Sequence, residues 1–103
     1  PLTKSLVIFN KSVTNGFTFS YDLPVQLFRN AYLFYRITGL TGGYSINLKV
    51  ISVIGGVEFV LRDLAITSDI ITVESLSGLG DLLRFRITAN GNGNIFIGVK
   101  LFT

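Results

Sequence analysis

The sequence predicts an all-β fold: an antiparallel two-sheet β-sandwich, jelly-roll-like, with about eight strands. Three observations predict it. Apolar and polar residues alternate with a period of two along most of the chain. No window carries apolar residues at helical spacing over three turns. Turn-forming glycine and asparagine clusters recur at roughly 8–12 residue intervals, the rhythm of sandwiches and barrels.

The expected strands are 4–10, 16–22, 31–38, 44–54, 57–62, 70–75, 82–89 and 94–102. In the second, Phe17, Phe19 and Tyr21 fall on one face and Thr18, Ser20 and Asp22 on the other. The segment LPVQLFRNA that follows is short and opens on a proline, so a turn or a single helical turn is expected there. In the fourth strand Ile46, Leu48 and Val50 oppose Ser45, Asn47 and Lys49. In the seventh Leu83, Phe85 and Ile87 oppose Arg84, Arg86 and Thr88, and in the eighth Ile95, Ile97, Val99 and Leu101 share a side. Between strands, TNG, TGLTGG, IGG, SGLGD and ANGNGN supply residues that tolerate positive φ. A chain of 103 residues with no linker or low-complexity stretch reads as one domain, 1–103.

Two stretches nearly repeat: YRITGLTGGYSINLKV from Tyr35 and FRITANGNGNIFIGVK from Phe85. Each is a strand, a glycine-rich turn and a return strand, so each is expected to form a hairpin-like unit. Every strand of a two-sheet fold must meet the same core-facing alternation. The repeat therefore reads as architecture and not as a duplicated site.

Charged residues make up 15% of the chain, against about 25% in ordinary globular domains. With 49% hydrophobic residues and 11 glycines, a domain this small has more apolar surface than its interior needs. Part of the exterior is therefore expected to be covered, and a homo-oligomer is the natural way to cover it. There is no Cys, which excludes a disulfide framework and thiolate metal sites. No uncharged apolar run approaches the ~18 residues a membrane span requires. The opening PLTKSLVIFNKS lacks the basic region, long apolar core and small-residue site of a secretion signal. A cytoplasmic location is expected on these grounds, and the NKS tripeptide at Asn10 reads as accidental.

Catalytic chemistry is not legible. There is no His for acid–base work near neutral pH. No Ser-x-x-Lys pair exists, and the six acids, Asp22, Glu58, Asp63, Asp69, Glu74 and Asp81, are scattered over loops and strand ends. The glycine clusters do not open helices, so they are not phosphate cradles. The expectation is a protein that is not an enzyme and uses neither cofactor nor metal.

Two surface constellations remain. Arg36, Lys49, Arg84, Arg86 and Lys100 lie on the polar side of the repeated strands. If those strands share a sheet, the five cations form a band for an anionic partner such as phosphate, an acidic glycan or an acidic protein patch, with nucleic acid a further reading. The alternative is a solvated face in which each cation pairs with a rim carboxylate. Net charge is only +3, and stacking aromatics are not interleaved with the cations as in single-strand binders. Nucleic acid is therefore the weaker partner expectation. The second constellation is apolar: Val7 and Phe9, with Phe96 and Phe102, occupy the side of the terminal strands expected to face away from the core. Terminal strands of Greek-key sandwiches commonly pair, so these four residues are expected to form one exterior patch used in assembly.

The segments LFYRITGLTGG, INLKVIS, GGVEFVLRDLAIT, LLRFRITANGNGN and IFIGVKLF follow one another from Leu33 to Phe102, within a resemblance that covers about residues 17–102. In this order and spacing the chain resembles small tailed-phage virion proteins with jelly-roll or related β-sandwich folds. It departs from them in lacking Trp and in its leucine-rich loops. The resemblance implies a structural virion component (a head decoration, minor capsid or tail-associated protein) with no catalytic residues and with other virion proteins as partners. The competing reading is a carbohydrate- or surface-ligand-binding module, for which Tyr32, Tyr35 and Tyr44 are the candidate contacts.

Overall fold

The computed structural model describes residues 2–41 and 43–103, so Gly42 of the TGLTGG turn lies outside the described residues. Eight strands are present: β1 (Thr3–Val13), β2 (Thr18–Pro24), β3 (Asn30–Thr38), β4 (Ser45–Ile54), β5 (Val57–Ile66), β6 (Ile70–Leu76), β7 (Leu82–Asn90) and β8 (Gly93–Phe102). They form two four-stranded antiparallel sheets, ordered β1-β8-β3-β6 and β2-β7-β4-β5. That is the jelly-roll order. The expected strands all appear, with β1 and β5 extending further than the alternation indicated. LPVQLFRNA forms a turn, closed by the Phe28 N–H donating to the Val25 carbonyl at 2.9 Å.

The sheets pack face to face because each presents one apolar side. Leu33, Ile37, Ile95, Ile97 and Leu101 from the first sheet and Ile46, Leu48, Leu83, Phe85 and Ile87 from the second are fully buried. Interdigitation of these inner faces is the core. The buried Ser52 hydroxyl donates to the Gly78 carbonyl at 2.8 Å and accepts from the Gly80 N–H at 2.8 Å, which pins the β6–β7 loop to β4.

Only β4 and β5 join through a hairpin. Gly55 and Gly56, at φ +58° and +77°, form a two-residue loop in which both positions need left-handed backbone, as in a type I′ turn. Every other connection passes from one sheet to the other. The two repeated units are therefore not hairpins, contrary to the sequence expectation. β3 and β4 lie in opposite sheets, and so do β7 and β8. Alternation dictates only that each strand has one buried side. It is blind to whether the next strand lies beside it or across the core. The repeats interlock instead. β3 of the first pairs with β8 of the second, and β7 of the second pairs with β4 of the first. Together they make the central pair of each sheet.

Candidate assembly face

The two outer faces of the sandwich differ in kind. On the outer face of β2-β7-β4-β5 the charges are mutually satisfied. Arg84 forks onto Asp22 at 2.8 and 2.9 Å and reaches Glu58 at 2.8 Å, while Arg86 reaches Glu58 at 2.9 Å. Lys49 lies 4.0 Å from Asp63 on the adjacent strand. Hydrogen bonding from Arg84 holds the Asp22 and Glu58 carboxyls below their usual range, and the same bonds raise the Arg84 guanidinium above its own. The charges of this sheet are self-neutralised, and Val57, Phe59 and Val60, apolar and exposed, lie on its edge strand β5.

The outer face of β1-β8-β3-β6 is apolar at its centre. Across one row the strands present Val7, Gly98, Phe34 and Val73, and across the next Asn10, Phe96, Arg36 and Ile71. Val7 is 61% exposed, Phe34 36%, Val73 53% and Ile71 78%. Gly98 leaves room for the Phe96 ring in this surface. A Cβ there would come within 3.2 Å of the Phe96 ring and push it a few tenths of an ångström off β8, so the glycine lets the ring lie close over the strand. The Arg36 guanidinium sits 5.6 Å from the centroid of the same ring. Ion pairing is absent at Arg36 and Lys100 among the described residues.

The predicted apolar patch is thus partly corrected. Val7 and Phe96 lie together on this face. Phe102 shares the face but stands at the far end of β8, beyond Lys100, with its ring 5.1 Å from that of Tyr32. Phe9 is not on the surface: it is 4% exposed and packs in the core against Phe17 and Phe19, at 5.6 and 4.9 Å between ring centroids. The cause is a β-bulge between Val7 and Phe9. The extra residue, Ile8, shifts the alternation by one, so Val7 points out and Phe9 points in. Phe34, Ile71 and Val73 complete the patch. Their signal was present in the sequence, since AYLFY and IITV carry large apolar residues on both faces of the alternation.

The five-cation band is corrected too. Arg36 and Lys100 lie on β3 and β8, Lys49, Arg84 and Arg86 on β4 and β7, so the two groups occupy opposite outer faces. Among the candidate sugar contacts, Tyr35 is buried at 5% exposure, its hydroxyl donating to Glu74, whereas Tyr32 and Tyr44 are exposed. Tyr44 closes over Gly91 so tightly that a Cβ there would fall 2.3 Å from the Tyr44 Cβ. Gly91→Ala must displace the Tyr44 backbone as well as its ring. An expected loss on the order of 1–3 kcal/mol would appear as a lower urea midpoint with an unchanged slope.

No protein-family model and no curated protein matches this sequence.

Proposed function

We propose that this chain is a non-enzymatic structural protein that works as a homo-oligomer, assembling through the outer face of its β1-β8-β3-β6 sheet, and that it serves as a virion component. One observation carries the reading: the apolar centre formed by Val7, Phe34, Ile71, Val73 and Phe96, which spans all four strands of one sheet, whereas the central charges of the opposite face are paired with one another. Leaving such a patch in water is unfavourable, and a contiguous apolar area of this kind marks an interaction surface. The resemblance of residues 17–102 to tailed-phage β-sandwich proteins supplies the virion setting, and the jelly-roll strand order agrees with it. Lys100 and Arg36 flank the apolar centre, as rim charges flank an interface core.

Light scattering on the purified chain tests the reading. The expected result is a stable homo-oligomer, a dimer or a larger closed assembly. Phe34→Ser combined with Phe96→Ser should reduce the mass to that of the 11.3 kDa monomer while the β-sheet circular dichroism is retained. A wild-type mass of 11.3 kDa at all concentrations would overturn it.

A further inference from the structure

The sandwich has four edge strands, and three carry devices that discourage strand addition. β1 contains the Ile8 bulge and the cations Lys4 and Lys11. β2 carries Asp22 and ends on Pro24. β5 contains a bulge opposite Val50 and Ile51, together with Glu58, Arg62 and Asp63. β6, IITVESL, has no bulge, no lysine and no proline among the described residues. Its one charge, Glu74, points into the sandwich, where it is satisfied by Tyr35 and Arg62.

Backbone alternation identifies which groups β6 leaves unpaired. The Thr103 N–H donates to the Leu2 carbonyl at 3.2 Å, which directs Leu101, Val99 and Ile97 toward β1 and Lys100, Gly98 and Phe96 toward β3. In β3, Tyr32, Phe34 and Arg36 therefore bond β8, and Leu33, Tyr35 and Ile37 bond β6. Their partners Glu74, Thr72 and Ile70 face inward along the ladder, leaving Ile71, Val73 and Ser75 directed at the open edge. Arg62 agrees with this assignment from the other side, because its guanidinium donates to the Ser75 carbonyl at 2.8 Å. That side chain covers one end of the edge. The N–H and C=O groups of Ile71 and Val73 are left for another strand.

We propose that β6 pairs antiparallel with β6 of a second copy of this chain about a twofold axis at Thr72, joining the two β1-β8-β3-β6 sheets into one. Ile71 of each copy then stands opposite Val73 of the other, and each such pair exchanges both N–H···O bonds. Their side chains lie on the outer face, so the apolar stripe that begins at Val7 runs on across the axis. The same register sets Ser75 opposite Asp69 of the other copy. Arg62, seated on Ser75, then stands across the seam from Asp69, whose carboxylate accepts the Gly39 and Leu40 N–H groups of its own copy, so residues of opposite charge face each other at both ends of the paired strands. This contact rests on the self-association proposed above and specifies one of its interfaces.

The chain has no cysteine, so Thr72→Cys creates a single thiol per copy. In this register the Cα atoms of position 72 in the two copies form a non-hydrogen-bonded pair about 4.5 Å apart, inside the roughly 4.4–6.8 Å window of a disulfide. Mild oxidation should convert Thr72→Cys to a covalent dimer, and Val73→Cys, which faces Ile71, should cross-link far less. In the unmodified protein, amide exchange at Ile71 and Val73 should slow at least tenfold between dilute monomer and assembled protein. An oligomer whose Ile71 and Val73 amides still exchange as unpaired groups, or which cross-links through Val73→Cys and not Thr72→Cys, would overturn the edge contact and leave the wider assembly reading standing. A protein that remains monomeric overturns both. If Thr72→Cys does not fold, the exchange measurement on the native chain decides.

Discussion

Phe9→Ala is expected to lower the unfolding free energy by about 3–5 kcal/mol, the usual loss for truncating a buried aromatic. Phe96→Ala is expected to lower it by no more than about 1 kcal/mol, as for a surface substitution. The two rings lie on neighbouring strands and alternation puts them on the same side, yet the Ile8 bulge sends Phe9 into the core. There it meets Phe17 and Phe19, and these three rings fill the sandwich where β1 crosses to β2. Truncation leaves a cavity walled by two aromatic rings that are themselves anchored on β2 and its approach, so little collapse is available to offset the loss. Against a total stability of roughly 5–15 kcal/mol for a domain of this kind, such a loss brings Phe9→Ala close to unfolding at room temperature. Phe96, half-buried on the outer face, should instead affect mass in solution. Urea unfolding of both variants, with light scattering on each, separates the roles. Equal losses of stability would mean that the bulge does not hold in solution.

How much of this was legible beforehand depends on what alternation can carry. The positions of the strands were legible because each has a buried side, and period two reports that directly. The partner of each strand was not. The repeats at Tyr35 and Phe85 read as hairpins because strand–turn–strand is the same string whether the chain folds back within a sheet or arches across the core. The cations suffered from the same blindness: Arg36 and Arg86 both point away from the core, but from opposite sheets. Phe9 was misplaced for a different reason. A one-residue bulge inverts every later side chain of its strand relative to the simple count, and SLVIFN, apolar on both sides, gives no polar marker of the inversion. The apolar face was half legible: Val7 and Phe96 stood out because they oppose core residues in terminal strands. Phe34, Ile71 and Val73 required knowledge that β3 and β6 lie in the same sheet as β1 and β8.

Glu74→Ala is expected to cost roughly 2–3 kcal/mol, because it strands two donors where the sandwich edges meet. Glu74 on β6 accepts the Tyr35 O–H from β3 and, at 2.7 Å, the Arg62 Nε from β5, so one carboxylate ties the two sheets together. Removing it leaves the Tyr35 hydroxyl without its partner and frees Arg62, which also bonds the Ser75 carbonyl. Arg62 can turn to water, which is why the loss stays below that of a fully enclosed ion pair. The pH dependence has two limbs with opposite causes. The Tyr35 and Arg62 hydrogen bonds hold the Glu74 carboxyl below its ordinary value of 4.5. The unfolded chain therefore binds its proton first, and this contribution is full above pH 4.5 and is lost as pH falls below it. Burial, reinforced by the bond to Glu74, pushes the Tyr35 phenol up from 10.0 to about 12. Between those values the folded state holds a proton that the unfolded state has released, so stability declines as pH rises through that interval. Glu74→Gln keeps the volume and an acceptor oxygen while removing the titration, and it should flatten the acid limb. Tyr35→Phe should remove the alkaline limb while leaving Glu74 paired with Arg62. Urea midpoints measured from pH 3 to pH 11 on the three proteins test the assignment. An acid limb unchanged in Glu74→Gln would shift its origin to Asp22 and Glu58, the other carboxyls held low, which are bound to Arg84 on the opposite face.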